Sequence, residues 1–307
     1  MIRNCKGMMN INSQLKGSLY LVAAAVVWGM AFSAQSNAMK YIQPFTFVFL
    51  RSAITCLVLA LAQPLFARLP GYRAAQDGMP SARAHLRAGA LIGLFLVLAT
   101  IFQQIGLVYT TPAKSGFVTA LYIVIVPLMG LFLGRRVPLT VWIALALSLI
   151  GLVLLCVQRD LSVNIGDLFT LGSAFMFSCQ IMLLGRYAPR MDAIKLSAIQ
   201  FGTAAVVSGI VAFGFETPRM DGIMACIGSI LYVAVFSGAV GYTLQVVGQK
   251  YADPTLASLL MCLESVFAAL GGWLILGQTL LPRELLGCAL MLMASVVAQL
   301  PDRRARG

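Results

Sequence analysis

QQIGLVYTTPAKSGFVTALYIVIVPL, Gln103 to Leu128, returns 142 residues later as QVVGQKYADPTLASLLMCLESVFAAL, Gln245 to Leu270. Both copies carry Q-x-x-G-x-x-Y-x-x-P. Without a gap, Gln103 falls on Gln245, Gly106 on Gly248, Tyr109 on Tyr251 and Pro112 on Pro254, and the runs that follow match at Leu121/Leu263, Val124/Val266 and Leu128/Leu270. A self-match at close to half the chain length is the mark of a duplicated unit. Each copy reads as an apolar helix, a tight Tyr-x-x-Pro turn and a second apolar helix.

The composition identifies the solvent these helices face. Hydrophobic residues make up 60% of the chain and charged residues 10%, with a mean hydropathy of +0.90, whereas a soluble domain carries about a quarter charged residues. Long, nearly uncharged stretches of the length that crosses a hydrocarbon core of about 30 Å recur throughout. The fold class expected is an all-α polytopic membrane protein.

Outward from the repeated stretch, the basic leader 1–16 precedes an apolar run from Gly17 to Ser36. Ala31-Phe32-Ser33-Ala34 has the small-residue look of a signal-peptide cleavage site, but Gly17-Ser-Leu-Tyr heads this run as Gly166-Asp-Leu-Phe heads a later one. Cleavage would leave the later run without its mate, so a retained first helix is expected. Helices two to five are predicted over Pro44–Phe66, Ala88–Val108, Lys114–Leu133 and Leu139–Val157. Helices six to ten follow over Gly166–Gly185, Ile194–Gly214, Gly222–Gly248, Pro254–Leu276 and Glu284–Gln299, and 301–307 form a basic tail. The halves are 17–157 and 166–300.

Basic loops stay on the cytoplasmic side. With the N-terminus inside, sixteen of the 22 Lys and Arg lie in cytoplasmic segments and five in outer ones, with Arg51 inside helix two. Both termini are therefore expected in the cytoplasm. The net charge of +12 follows from topology, and no nucleic-acid partner is needed to explain it. Five helices per half also force the second copy to enter the membrane from the opposite side. Inverted repeats of this kind build secondary transporters in which one half rocks against the other around a site at the midplane.

GFVTALYIVIVPLMGLFLG (Gly116–Gly134) and ASLLMCLESVFAALGGWLILG (Ala257–Gly277) resemble the two EamA-type halves of the drug/metabolite transporter superfamily. The Leu263–Ala268 and Tyr122–Pro127 segments carry the resemblance, which extends over about Gly17 to Leu300. It implies ten helices in two inverted EamA-like repeats and a plasma (inner) membrane carrier that moves small metabolites, amino acids or drugs, often as an exporter, through a cavity between the halves. Family halves often place a glutamate after the Leu-Gly that ends helices four and nine. Here Arg135 and Gln278 stand there.

Candidate substrate-binding or coupling residues are the polar groups at membrane depth. Glu264 is the acid well inside a predicted span, where a charge costs about 2.5–3.5 kcal/mol by insertion scales. It reads either as a proton site or counter-charge for an amine, or as a neutral carboxyl bonding a neighbouring helix. Arg51, whose counterpart 149 residues on is Gln200, either snorkels outward, the blander and slightly favoured reading, or pairs with Glu264. Gln103 and Gln245 occupy mirrored places and each offers donors and an acceptor. Ser115, Thr119 and Tyr122 share one helical face, and Tyr122 aligns with Glu264. Trp28 and Tyr242 complete the set.

Gly89-x-x-x-Gly93 and Gly130-x-x-x-Gly134 are expected to admit close helix approach. Pro127 is expected to bend helix four, with Ala269 at the mirrored place. Seven scattered cysteines carry no C-x-x-C, and His85 is expected to be solvated in a cytoplasmic loop. The rival class is an intramembrane enzyme, or a scaffold or receptor. One membrane carboxylate and one loop histidine supply neither H-E-x-x-H nor a Ser-His pair, and no phosphate-binding G-x-x-x-x-G-K-[ST] loop is present. The expectation is therefore a non-enzymatic carrier with no cofactor beyond proton coupling. Its partners are a small-molecule substrate and the lipid bilayer, with a homodimer left open and no metal.

Overall fold

The computed structural model describes residues 11–70, 72, 78–135, 137–156, 164–276 and 279–299. Arg3, Cys5, Lys6, Arg73, Arg136, Arg159, Gln278 and the tail from residue 300 lie outside the described residues. Among those described, nine helices are long and apolar enough to cross a membrane. They are α1 (Ser13–Ala38), α2 (Pro44–Phe66), α3 (Ala82–Tyr109), α4 (Pro112–Phe132), α5 (Leu139–Cys156), α6 (Ile165–Arg190), α7 (Ala193–Phe215), α8 (Ile227–Gly248) and α9 (Pro254–Gly271). A tenth, α10 (Pro282–Val297), has 16 residues, at the short edge of spanning length.

The repeated turn has a local physical cause in both halves. Thr111 and Asp253 stand at mirrored N-cap positions and accept the orphan amides of the helices they begin, Lys114 N at 3.3 Å and Thr255 N at 2.9 Å. Each is followed by a proline in the first helical turn, Pro112 and Pro254, where a missing N–H costs nothing.

Helices of the same rank in the two halves run antiparallel, which establishes the inversion. Glu216, at the end of α7, accepts from Phe45 N at 2.9 Å and from Thr46 N at 2.7 Å, capping the start of α2. Further along, Gly209 lies under Phe49 and Gly202 under Cys56, so the α7 number falls as the α2 number rises. The fifth helices cross in the same sense at Gly151 and Gly287, where a Cβ on either would meet the other's carbonyl at 2.7 or 2.6 Å. Other close contacts are exchanged between the halves. Gly17 at the start of α1 sits against Gly248 and Tyr251 at the end of α8, and Gly166 at the start of α6 sits against Gly106 and Tyr109 at the end of α3. The glycines and tyrosines of the repeated motif are thus the points where each half clasps the other. Small residues allow such approach in a lipid solvent, which offers helices no hydrophobic drive to associate.

Several expectations are corrected. The predicted eighth helix from Gly222 is interrupted at Cys226 (φ −121°, ψ 18°), which separates a short helix Met220–Ala225 from α8. Inside α8, Val233–Gly241 is a π-helix. Gly89 and Gly93 do lie against α7, at Ile199 and Gln200, but a Cβ on Gly130 would meet only Arg135 side-chain atoms at 3.9 Å. Gly134 has φ +73°, the left-handed turn that ends α4 and favours glycine. His85 is not solvated. The α3 helix begins six residues earlier than expected, capped by Ser81, and carries His85 into the core at 4% exposure, where its Nε2 accepts Asp192 N at 3.1 Å and its Nδ1 lies 3.2 Å from Ser81 O. Tyr72 donates to Asp192 Oδ2 at 2.6 Å beside it. Burial pushes the nearby Lys250 ammonium below its usual range, with Asp192 acting in the opposite sense.

Candidate functional site

Both motif helices break at the same place. The α4 helix is two pieces, Pro112–Ala120 and Tyr122–Phe132, divided at Leu121. The α9 helix is Pro254–Met261 and Glu264–Leu276, divided at Cys262 and Leu263. A proline is not required for such a break, since the same break forms in α9, where Ala269 stands at the place of Pro127. Tyr122 and Glu264 are the first residues after the two breaks, and they meet: Tyr122 OH donates to Glu264 Oε1 at 3.3 Å. The backbone of Gly29 lies close against the Glu264 carbonyl and Ala268 N, so α1 packs directly on the second piece of α9.

Around this contact lies a cavity between the halves. Mirrored positions line it together: Trp28 and Phe177, Gln103 and Gln245, Thr119 and Met261, Tyr122 and Glu264. Gln35, Arg51, Gln180, Ser237 and Tyr242 complete the polar lining. Of the nine residues singled out from the sequence, eight line this space. Ser115 does not; it is fully buried, and its Oγ has no hydrogen-bond partner among the described residues.

Arg51 neither snorkels nor pairs with Glu264. It is 5% exposed, and no ion pair joins the two among the described residues; instead its Nη1 donates to Gln35 Oε1 at 2.9 Å. Gln104 Nε2 donates to the same oxygen at 2.6 Å, fixing the amide that fixes the guanidinium. Arg51 Nε has no partner among the described residues, and the Phe47 ring lies 5.8 Å from the guanidinium carbon. A guanidinium can donate up to five hydrogen bonds to a planar anionic group, and Arg51 lines the cavity. Gln200, its counterpart, is sealed away from the cavity, and neither amide atom finds a partner among the described residues.

The amides form a second fixed layer. Gln180 and Gln245 exchange hydrogen bonds at 3.3 and 3.2 Å, and Gln103 Nε2 donates to Thr119 Oγ1 at 3.3 Å. Trp28 Nε1 donates to Ser237 O at 3.1 Å, and Thr55 Oγ1 donates to Ala234 O at 2.7 Å. Both acceptors belong to the π-helical stretch of α8, a form that turns up at functional sites. The Trp28 and Tyr242 rings stand 4.8 Å apart, and Phe201 backs Tyr242 edge-on at 5.1 Å. The result is a polar floor, an aromatic wall, one buried carboxyl and one buried guanidinium.

Gln35, Gln104, Gln180 and Ser237 were missed by the sequence reading. Gln35 corresponds to Leu184 and Gln180 to Ala31 at the 149-residue spacing, so no symmetry marks them. The usable signal was an amide within a predicted span.

A model described as the EamA-like transporter family matches residues 15–157 and again 164–299. The chain is similar to an uncharacterized transporter of Archaeoglobus fulgidus, 27% identical over 293 residues that make up 94% of this chain and 87% of the relative. It is similar to a second from the same organism, 24% identical over 289 residues, 91% of this chain and 97% of the relative. A solved crystal structure superposes with a TM-score of 0.75 at 19% identity, covering 95% of this chain and 99% of that one, a likeness of fold.

Proposed function

The chain belongs to the EamA-like transporter family, and from that premise we propose that it is a secondary transporter that exports a small organic metabolite, an amino acid or amine, across the plasma membrane by alternating access. Both termini stand in the cytoplasm in this reading, as the distribution of Lys and Arg between loops favours. The observation that carries it is the meeting of Tyr122 and Glu264 at mirrored helix breaks inside a cavity shared by the two halves. A helix broken at membrane depth is tolerated where it lines a cavity, and two such breaks facing each other let either half tilt without unwinding a continuous rod.

Within the cavity, Arg51 seats a carboxylate or other anionic group and Glu264 takes an ammonium or a proton, while Trp28 and Tyr242 cover apolar parts of the substrate. Exchange of the substrate cation for a proton at Glu264 leaves that carboxylate compensated in both directions of travel, which the cost of an uncompensated charge at this depth favours. Counterflow of a panel of labelled amino acids and amines into liposomes holding the purified protein tests the proposal. Accumulation of unmodified solute on preloaded vesicles is the expected result. No counterflow with any member of the panel, or release of a covalently altered lipid or peptide, overturns it.

A further inference from the structure

Away from the central cavity, the lipid-facing side of α2, α3 and α7 carries an open groove lined by Cys56, Leu86, Ile199, Gly202, Thr203 and Val206 among others. We propose that an anionic phospholipid occupies this groove, with an acyl chain along α7 and its headgroup on Arg83 and Arg87.

The groove exists because small residues lie between larger walls. A Cβ on Gly202 would meet only Cys56 Sγ, at 3.3 Å, whereas Leu86 and Val206 stand out on either side at 57% and 63% exposure. Its depth in the membrane follows from the parallel register of α3 and α7. Gly89 touches Ile199, Gly93 touches Thr203, and His85 meets the backbone of Asp192, so both helices begin at one level. The lining of α7, residues 198 to 207, rises about 14 Å, close to half of a hydrocarbon core of about 30 Å. The groove therefore spans one leaflet and ends near the midplane.

At its open end the charges have one sign. Arg83 and Arg87 are exposed on the first turns of α3, one on each side of Leu86, and neither has an ion-pair partner among the described residues. Lys195 follows at the same level on the stripe of α7 that continues through Ile199, Gly202 and Val206. The neighbouring acid, Asp192, is 2% exposed and already engaged by Tyr72 and Lys195 N. Basic pockets between spans, at the level of the headgroups, bind anionic lipids. A lipid seated here touches α2 and α3 of one half and α7 of the other, bridging the parts that must move against each other.

Native mass spectrometry of the full chain, released from detergent with equal amounts of phosphatidylglycerol and phosphatidylcholine, tests this. The expected result is roughly tenfold preferential retention of phosphatidylglycerol, lost in the Arg83→Gln/Arg87→Gln double variant. Val206→Trp, which fills the groove from an exposed position, should reduce retention of both lipids while the protein still purifies as the wild type does. Equal retention of the two lipids overturns the proposal, as does a preference that survives the double variant or binding unaffected by Val206→Trp. Inorganic phosphate that displaces phosphatidylglycerol completely points to a headgroup-only site, and a dimer mass without lipid points to a second copy on this face; either overturns it.

Discussion

Tyr122 and Glu264 stand at the same point of the two halves, each the first residue after a helix break, yet one carries a phenol and the other a carboxyl. Arg51 and Gln200 repeat the lesson one layer away: the first reaches the cavity and is held by Gln35, the second is sealed from it. What is duplicated is geometry, namely the caps, prolines, clasping glycines and breaks. What differs is the set of side chains that this geometry presents. A cavity built by symmetric helices is thus made chemically one-sided by a few substitutions, and changing those substitutions tests the comparison most directly.

The largest effect is expected at Glu264. Glu264→Gln keeps size and a hydrogen-bonding tip for Tyr122 but removes the ability to exchange a proton. Flux driven by a pH gradient should fall to background while the protein inserts and purifies normally, and any residual counterflow should lose its dependence on pH. Wild-type flux across a range of pH in this variant would mean that the carboxyl is only a bond between helices. Arg51→Gln, which makes the first half match the second at this position, is expected to be next. Loss of a charged hydrogen bond to the substrate, about 1.5–3 kcal/mol, lowers apparent affinity for a carboxylated substrate by roughly tenfold or more. The affinity for its decarboxylated amine should change little. Equal loss for both compounds would assign Arg51 to holding Gln35 and Gln104 in place.

The geometric half of the molecule was legible in the sequence because it rests on residues that repeat at fixed spacing. The Q-x-x-G-x-x-Y-x-x-P motif names the glycines that pack and the proline that starts each second helix, and the alignment of Tyr122 with Glu264 follows from it. The helix breaks were not legible, because Leu121 and the pair Cys262-Leu263 are ordinary apolar residues that carry no local helix-breaking signal. Pro127 suggested a bend at the wrong place. Gln35 and Gln180 have no mirrored partner, and the π-helix in α8 leaves no compositional trace. His85 was misread for a related reason: a single histidine among arginines looks solvated unless the cap at Ser81 extends the helix beneath it.

A smaller effect is expected at the ends of the helices, where the halves also differ. At the start of α6, Asp167 holds Lys114 at 2.6 Å and Thr110 at 3.1 Å. The mirrored places on the opposite face hold Ser18, Leu256 and Ala252, and the contact there is Lys16 at 5.9 Å over the Tyr251 ring. One end of the transporter is fastened by an ion pair and the other by packing. A partly exposed pair of this kind contributes about 1 kcal/mol at most. Lys114→Met should therefore shift the balance between the two access states by up to roughly fivefold, read as labelling of a cysteine introduced near Thr110 compared with one near Ala252. Identical labelling in variant and wild type would show that the ion pair fastens nothing that moves.

The smallest effect is expected where the sequences differ but the folds do not. Pro127 lies in the second piece of α4, and its ring leaves the carbonyl of Ile123 without an amide from that position. Ala269 holds the mirrored place in α9, and there the helix breaks just as it does in α4. If the breaks are set by packing of both halves around the cavity, Pro127→Ala restores one helical hydrogen bond and leaves the break at Leu121 in place. Transport should then stay within about twofold of wild type, a change of roughly 0.4 kcal/mol. A large loss of flux in Pro127→Ala, with the protein still folded, would mean that the two breaks look alike for different reasons. The first half would then depend on a proline hinge that the second half does without, and the two halves would differ in how they bend as well as in what they bind.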